Sequence, residues 1–454
     1  MNPRSTRATH PPARPQAPSR REFLLEGGAA TAALIGLSRG VPAQEAAAAV
    51  PQQEVPAAPL PPPRPEPQQK IGVIGVGGMG KHHCERFLAL HKEGKENVRV
   101  VAVADVCKPR LDEAVELCAR EQGENGQPFA VAGYRDYREL LRHPELNGVL
   151  IATPEHWHSP MAIDAIRAGK DVYVEKQMTL RLDQAFDLWR EQRGSDRIVQ
   201  IGTQYVMRPK SAEARRLIAE GAIGHPVASQ TGYCRNSKAG EWNYYAIDEW
   251  VQPGDALDWE AWCGPLGPQP FDTVVYHRWR RYKRWSTGII GDLLVHQITP
   301  LLRAIEPGWP VRVSALGGHY VDKQMENHDQ VHLIVQFEKE HTMDVLGSTC
   351  NAHEVDEIVR GHKANLLLSG TGCELKPEPT YQDAVEAQSA KYEKVPDQDL
   401  LRLDWLQCMR TRAAPQSPVE LSTKVMVIVD LATRALWEGG SWGFSPASLT
   451  AYRT

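Results

Sequence analysis

The residues that most limit how this chain can fold are 70–90, where a short apolar run, Lys70-Ile71-Gly72-Val73-Ile74, passes directly into Gly75-Val76-Gly77-Gly78-Met79-Gly80 and then into a helical pattern. Glycines at G-x-G-x-x-G spacing between a strand and a helix form a phosphate-cradling turn. Gly75 permits the bend, Gly77 lets the backbone approach a pyrophosphate, and Gly80 lets helix and strand pack closely. Gly78 and Met79 complete the turn, with the helix N-terminus facing the phosphates. A lone triplet of this kind also closes hairpins, so the context decides. A second apolar run over 98–104 ends at Asp105, about 25 residues past Gly80, where an acid accepts hydrogen bonds from adenosine ribose hydroxyls. These residues predict a dinucleotide site. An acid at that place disfavours a 2′-phosphate, so NAD is expected over NADP, although Lys108 and Arg110 leave NADP open.

Helix and strand patterns then keep alternating, with a helix over 109–120, a strand near 130–132, a helix over 137–141 and strands over 148–152 and 171–174. Such alternation implies a parallel, doubly wound sheet. Open sheets of this kind hold ligands at the carboxyl ends of their strands. The fourth end reads Thr153-Pro154-Glu155-His156-Trp157-His158, the fifth reads Glu175-Lys176-Gln177, and Gln204 follows a further apolar run. Thr153, Pro154, Glu175, Lys176 and Gln204 are therefore candidate cofactor-pocket residues. His156 also has a plainer reading, an imidazole that caps or packs at a strand-to-helix junction.

Beyond residue 198 the strands become longer and alternate. Residues 330–337 and 342–347, with four residues between them, read as an antiparallel hairpin. The expected class is α/β: a signal and linker, then an N-terminal Rossmann domain over 70–197 with a doubly wound parallel sheet, then a C-terminal α+β domain over 198–454 with a mostly antiparallel open sheet. A length of 454 residues suits two domains. A net charge of -4 supplies no field to collect nucleic acid. The 8 cysteines contain no CxxC pair, so neither a zinc module nor a disulfide scaffold is indicated. No metal is expected, and the partner should be a small molecule.

In the second domain, Asp292 and His296 stand four apart after a glycine-containing turn, so on a helix both project from one face. Each has a structural alternative: Asp292 as a partner of the helix dipole, and His296 as a core histidine. The Trp- and Arg-rich run over 278–285 fits a grip on an acidic or pyranose sugar. The favoured reading is blander, with cationic stems and indole rings packing a loop against the sheet.

Taken in order, these motifs resemble the glucose-fructose oxidoreductase/inositol dehydrogenase/MocA (Gfo/Idh/MocA) family over roughly residues 70–440: the glycine turn, Asp105, Ala-Thr-Pro-x-x-x-His ending at His158, Glu175-Lys176, and Asp292-x-x-x-His296. One residue departs from the family pattern, since Gln177 stands where a proline normally follows the Glu-Lys pair. The resemblance implies His158 in the cofactor pocket, Lys176 under the nicotinamide, Asp292 and His296 facing it, and a sugar or cyclitol as substrate. It also implies a homo-oligomer built on the open sheet. Oxidising a secondary alcohol requires a hydroxyl proton to leave with the hydride, a task suited to a histidine of near-neutral pKa. His296 is the expected base, Lys176 stabilises charge on the same oxygen, and Asp292 orients the imidazole or binds a neighbouring hydroxyl. An exchange of His296 and Lys176 as base is a live variant.

At the N-terminus, Ser19-Arg20-Arg21-Glu22-Phe23-Leu24-Leu25 precedes a weakly apolar run to Leu37 and a small-residue site at Val41-Pro42-Ala43. This resembles a twin-arginine export signal. The run falls short of the about 20 apolar residues that span a bilayer, so no stable membrane span is expected. The alternatives are a basic tail with a packed helix, or an uncleaved anchor. Residues 1–43 are read as the signal peptide and 44–69 as a Pro-rich extended linker, and the protein is expected to be periplasmic or otherwise exported by the twin-arginine machinery. Export of a folded enzyme favours a resident NAD. Two other readings of the whole chain stay open: a redox glycosidase, in which the sugar is transiently oxidised, eliminated, hydrated and re-reduced, and a non-catalytic binding relative.

Overall fold

The computed structural model describes residues 67–454 and, before them, the backbone of Gln53–Glu54. The signal expected over 1–43 and nearly all of the linker expected over 44–69 lie outside the described residues.

The first sheet has six strands: β1 (Gln69–Ile74), β2 (Val98–Ala104), β3 (Ala132–Tyr134), β4 (Gly148–Ile151), β5 (Asp171–Val174) and β6 (Val199–Ile201). All pair in parallel, in the order β3-β2-β1-β4-β5-β6. The winding reverses between β1 and β4, and the crevice at such a switch point is where open parallel sheets hold ligands. Both faces are covered, which is why these strands are apolar throughout: Ile71 and Val73 enter one layer and Ile74 the other. Helices α1 (Gly78–Lys92), α2 (Lys108–Glu121), α3 (Tyr137–Leu141), α4 (His158–Arg167) and α5 (Leu182–Arg193) make the crossovers. Pro109 sits in the first turn of α2, where its missing N–H costs nothing.

The chain continues through α6 (Pro209–Ala219), β7 (Pro226–Asn236), α7 (Trp259–Cys263), α8 (Thr273–Arg278), α9 (Val295–Ile305), β8 (Pro310–Gly318), β9 (Gln330–Phe337), β10 (Thr342–Ser348), β11 (Ile358–Gly361), β12 (Ala364–Leu367), β13 (Gly372–Pro377), β14 (Gln388–Lys391), α10 (Asp397–Thr411), α11 (Val419–Glu438), β15 (Ser441–Ser445) and β16 (Thr450–Arg453). The second sheet runs β14-β13-β12-β11-β7-β10-β9-β8-β15-β16, with Gln53–Glu54 parallel to β14 at its far edge. Its main pairings are antiparallel, apart from β7 with β10. The expected hairpin is β9–β10, in a register that sets Gln336 opposite Thr342. Along β9, Val331, Leu333, Val335 and Phe337 are buried on the face covered by α9 and α11. On the opposite face Leu316 and Ile334 are exposed.

The division between the domains is not a single cut at residue 198. Strand β6 lies beyond that boundary and still completes the first sheet. Helix α10 returns beneath the same sheet, burying Leu401, Trp405, Leu406 and Met409 with Ile71, Val73 and Phe87. Between β7 and α9, residues 237–285 form an insertion with its own aromatic core of Trp259, Trp262, Tyr276, Trp279 and Trp285, closed by Cys107 from the end of β2. Backbone hydrogen bonds from Lys108 N to Ala256 O (2.9 Å) and from Asp258 N to Val106 O (3.0 Å) fasten it beside the carboxyl end of that strand. Among the described residues no helix is long and apolar enough to cross a membrane.

Candidate active site

The glycine turn is packed from behind and open in front. Gly75 has φ +82°, and a Cβ there would lie 2.8 Å from Thr153 Cγ2, so the turns after β1 and β4 touch. At Gly80 a Cβ would meet Gly75 O at 1.9 Å. Over Gly78 nothing lies within 4 Å, and α1 begins without a side-chain cap or an acid in its first turn. Its leading amides are thus free and unshielded, as a pyrophosphate requires. Met79, 37% exposed, stands at the same end. Asp105 braces the loop: Oδ2 accepts from Val76 N (2.8 Å) and Oδ1 from Cys107 N (2.8 Å). Burial raises the Asp105 pKa against these hydrogen bonds. Lys108 turns away to pair with Asp112 at 2.5 Å, whereas Arg110 packs over the Tyr276 ring with its Nη1 beside Gly77. Thr153 Oγ1 is buried without a partner among the described residues. The open turn and this unpartnered hydroxyl fit a dinucleotide.

The turn after β4 is used differently by its two histidines. His158 Nδ1 lies 2.6 Å from Gln177 O and Nε2 2.8 Å from Thr153 O, so the ring ties two strand-end turns together. Burial lowers its pKa. His156 Nε2 lies 2.7 Å from Trp262 O, and Trp157 Nε1 donates to Ala261 O (3.0 Å), so these side chains anchor the insertion. Pro154 precedes the short turn Glu155–Trp157 that carries them.

Lys176 reaches across to the second domain. Its Nζ donates to Asp292 Oδ1 (2.7 Å) and to Asp292 O (2.8 Å), and Arg280 Nε donates to the same Oδ1 (2.8 Å). Burial opposes ionisation of Asp292, but the two cations hold its carboxyl far below the usual carboxylate range. Asp292 lies in a π-helical turn, Ile290–Leu294, that runs into α9, and not in the regular α-helix suggested by the spacing. Such turns recur at functional sites. His296, in the first turn of α9, is buried with its ring centroid 5.1 Å from that of Tyr205 and its Nδ1 unpartnered. Burial, and then the charge of Lys176, push its pKa down to about 3. No hydrogen bond joins Asp292 to His296 among the described residues. Asp292 was expected to orient the imidazole or to bind a neighbouring hydroxyl; in the structure its Oδ1 accepts from both cations.

Glu175 points the other way, toward α1. Its Oε1 lies 2.9 Å from His83 Nε2, and Arg402 Nε donates to His83 Nδ1 (2.9 Å), which assigns the ring proton to Nε2. Burial opposes ionisation of Glu175, and the His83 hydrogen bond outweighs it, bringing the pKa to about 2. The Lys176–Gln177 peptide is cis. Gln204 lines a cleft of about 600 Å³ shared with His82, Tyr205, Arg208 and Asp399. The structure therefore gathers Lys176, Asp292 and His296 in one patch, and Gly75, Gly77, Gly78, Met79, Gly80, Asp105 and Thr153 around the glycine turn. Glu175 and His158 are held by other protein groups.

Sequence reasoning overlooked Arg280, Glu155, His83 and Arg402. Arg280 belongs to the Trp/Arg run, whose other members are structural: Arg281 pairs with Asp322 (2.7 Å), and Arg278 Nε donates to Tyr245 O (3.0 Å). The one visible signal near Glu155 was Gln177 in place of proline. Among the described residues no group of His, Cys, Asp or Glu is arranged to hold a metal.

The Gfo/Idh/MocA oxidoreductase family matches the chain twice, by its NAD-binding Rossmann fold over residues 69–203 and by its C-terminal alpha/beta domain over 215–442. The chain belongs to this family of NAD-binding oxidoreductases. It is similar to an alpha-N-acetylgalactosaminidase of Shewanella oneidensis, 27% identical over 237 residues that make up 50% of this chain and 50% of that protein. A glycosyl hydrolase family 109 protein of Shewanella sp. (strain ANA-3) is 33% identical over 171 residues, 37% of this chain and 36% of its own. The chain thus spans about half the length, or less, of the curated relatives it matches. Among solved structures, a levoglucosan dehydrogenase in complex with NADH aligns with a TM-score of 0.63 at 17% identity, over 83% of this chain and 98% of that one. This likeness shows the shared fold.

Proposed function

We propose that the chain is an exported NAD-dependent oxidoreductase that acts on a secondary alcohol of a sugar or cyclitol and holds its cofactor tightly. The observation that carries the reading is Lys176 Nζ set 2.7 Å from Asp292 Oδ1, with buried His296 one turn on, at the carboxyl end of a strand in a sheet with an open glycine turn. Bound along that turn, NAD supplies the acceptor for the hydride of the substrate carbon. Lys176 has three donors, of which Asp292 takes two, and the third is left to stabilise negative charge on the substrate oxygen. His296, neutral and with Nδ1 free, accepts the hydroxyl proton. A base with a pKa near 3 is a weak match to neutral pH, which keeps Lys176 as the second assignment for the proton. Turnover that survives His296→Ala but is lost in Lys176→Ala would select it.

The preference for NAD over NADP rests on Asp105, and export rests on the paired arginines of the N-terminus. Tight retention is supported by the insertion fastened beside the strand ends. A homo-oligomer is supported by the sheet face on which Leu316 and Ile334 are exposed. A second reading is glycoside cleavage by transient oxidation with no net redox change. The glycosidase names of the curated relatives favour it.

The first test is mass spectrometry of nucleotide released by denaturing the purified protein. Stoichiometric NAD supports a resident cofactor, while no nucleotide and no binding of added NAD would overturn the proposal in favour of a non-catalytic binding relative. Incubation with free sugars and with aryl glycosides then separates the two chemistries, as accumulation of oxidised sugar or as release of aglycone without redox change.

A further inference from the structure

Between the turn that carries Lys176 and the turn that carries Asp292 lies a buried polar network that the chemistry above does not use. Glu155, 1% exposed, accepts from Gln177 Nε2 on Oε2 (2.7 Å) and from Ser286 Oγ on Oε1 (2.9 Å). Gln177 Oε1 accepts from Thr287 Oγ1 (2.7 Å), and Ser286 Oγ accepts from Gly288 N (3.0 Å). Gly291 leaves room for these groups: a Cβ there would lie 1.3 Å from Gln177 Oε1 and 2.2 Å from Thr287 Oγ1. Gln177 adjoins Lys176 in sequence and Gly291 adjoins Asp292. The network therefore ties the Rossmann end of the ion pair to its second-domain end, and a proline at 177 would have no side-chain amide with which to make the tie.

Two donors converge on one carboxyl group. While that group is protonated, it bonds both partners as a neutral acid; once ionised, it is a buried charge beside Asp292 that these donors compensate only in part, and opening of the turn returns it to water. We propose that Glu155 is a positioning residue of this site, an ionisable clamp that acts through Gln177, Ser286 and Thr287 to fix Lys176 against Asp292 when protonated and to loosen the 286–292 turn when deprotonated. This rests on reading Lys176 and Asp292 as the working pair of the site. The surroundings set the range in which the clamp works. Burial, and then the charge of Asp292, raise the Glu155 pKa to about 8, opposed by the Ser286 hydrogen bond and by the charges of Arg280 and Lys176. His156 and His158, on the same turn, are buried with lowered pKa values and carry no change of charge across that range. The clamp is thus largely closed at neutral pH and opens as the solution becomes alkaline.

The test is amide hydrogen exchange of peptides spanning 286–294 in the intact protein without added nucleotide, corrected for intrinsic rates, at about pH 6.5 and about pH 9.5, on either side of that pKa. The wild type is expected to exchange about tenfold faster at the higher pH, after correction for intrinsic rates, because opening of the turn returns the ionised carboxyl to water. Glu155→Gln, which carries no charge at either pH, is expected to exchange at the slower rate at both pH values. Ser286→Ala, which removes a donor to the carboxylate, is expected to move the transition to higher pH. A wild type without the transition, or a Glu155→Gln protein that keeps it, overturns the proposal. Should Glu155→Gln not fold, an unmoved midpoint in Ser286→Ala overturns it equally. NADH binding, followed in parallel by nicotinamide fluorescence, keeps the two ideas apart: a protein that binds no NADH refutes the proposed function, while exchange over 286–294 still decides the clamp.

Discussion

Replacing Asp292 with asparagine should damage this protein more than the loss of a surface ion pair could. Asp292 Oδ1 lies 2.7 Å from Lys176 Nζ and 2.8 Å from Arg280 Nε, on a side chain only 7% exposed. At an effective dielectric of about 20, each contact contributes about 6 kcal/mol of attraction, and the two cations, within about 5.5 Å of each other across the shared oxygen, repel by about 3 kcal/mol. Most of this gross attraction is offset by the desolvation of three charges, so the intact cluster adds little net stability. Removing the carboxylate alone is another matter. The desolvation of Lys176 and Arg280 persists, and their repulsion is no longer compensated. One-sided disruption of a buried pair costs about 3–5 kcal/mol, a large part of the about 5–15 kcal/mol that holds a protein folded. The assay is urea unfolding followed by tryptophan fluorescence for Asp292→Asn, Lys176→Met and the double variant. Asp292→Asn should lose about 3–5 kcal/mol, and adding Lys176→Met should restore about 1–3 kcal/mol of it, because one stranded cation is gone. A loss below about 1 kcal/mol, or strictly additive effects in the double variant, would refute this account of the cluster.

Stability should also fall on acidification from about pH 6.5. Burial, as the leading cause, brings the pKa values of His83 and His156 down to about 4 and that of His296 to about 3. For a base with a lowered folded pKa, the unfolded chain takes up the proton first, so stability declines as pH drops through that window, at up to about 4 kcal/mol per pH unit for three such groups. Glu155, an acid with a raised pKa, works in the opposite sense: its contribution declines as pH rises from about 4.5 toward 8. Glu155 does not by itself reverse the trend of the three histidines, and a urea midpoint at pH 5 equal to or above that at pH 7 would contradict their burial. Gly80→Ala should cost more than about 3 kcal/mol or prevent folding, since the new Cβ would sit 1.9 Å from a backbone oxygen that cannot move aside; thermal unfolding with an unchanged midpoint would contradict the turn. Trp405→Ala should cost about 3–5 kcal/mol, because the indole is wholly buried beneath the first sheet. Calorimetry that finds less than about 1 kcal/mol would mean that α10 does not belong to that core.

How much of this was legible beforehand depended on distance along the chain. Strands β1 to β5, the glycine turn and Asp105 are local facts: periodicity and glycine spacing act over a few residues, and neighbouring residues suffice to read them. Lys176, Asp292 and His296 could be singled out as candidates because each sits in a short patterned segment. The partners of those residues were hidden. Arg280 looked like any other member of the Trp/Arg run until the fold turned its guanidinium to Asp292 and its neighbours to Asp322 and Tyr245. His158 could be read as a cofactor-pocket residue, but its neighbours in sequence could not show that its ring nitrogens lie against two carbonyls, those of Thr153 and Gln177.

By itself, then, the sequence determined the two-domain α/β plan, the place of the dinucleotide turn and the identity of the groups able to move a proton, since these follow from backbone geometry and residue chemistry within single segments. Tertiary structure alone decided which charges meet. His83 and Arg402 are 319 positions apart and yet share a hydrogen bond. Glu155, Gln177 and Ser286 come from three separate turns. Such meetings depend on where packing of the core returns the chain, and a buried carboxyl takes its charge state from whatever is then within a few ångströms of it, which no local stretch of residues encodes.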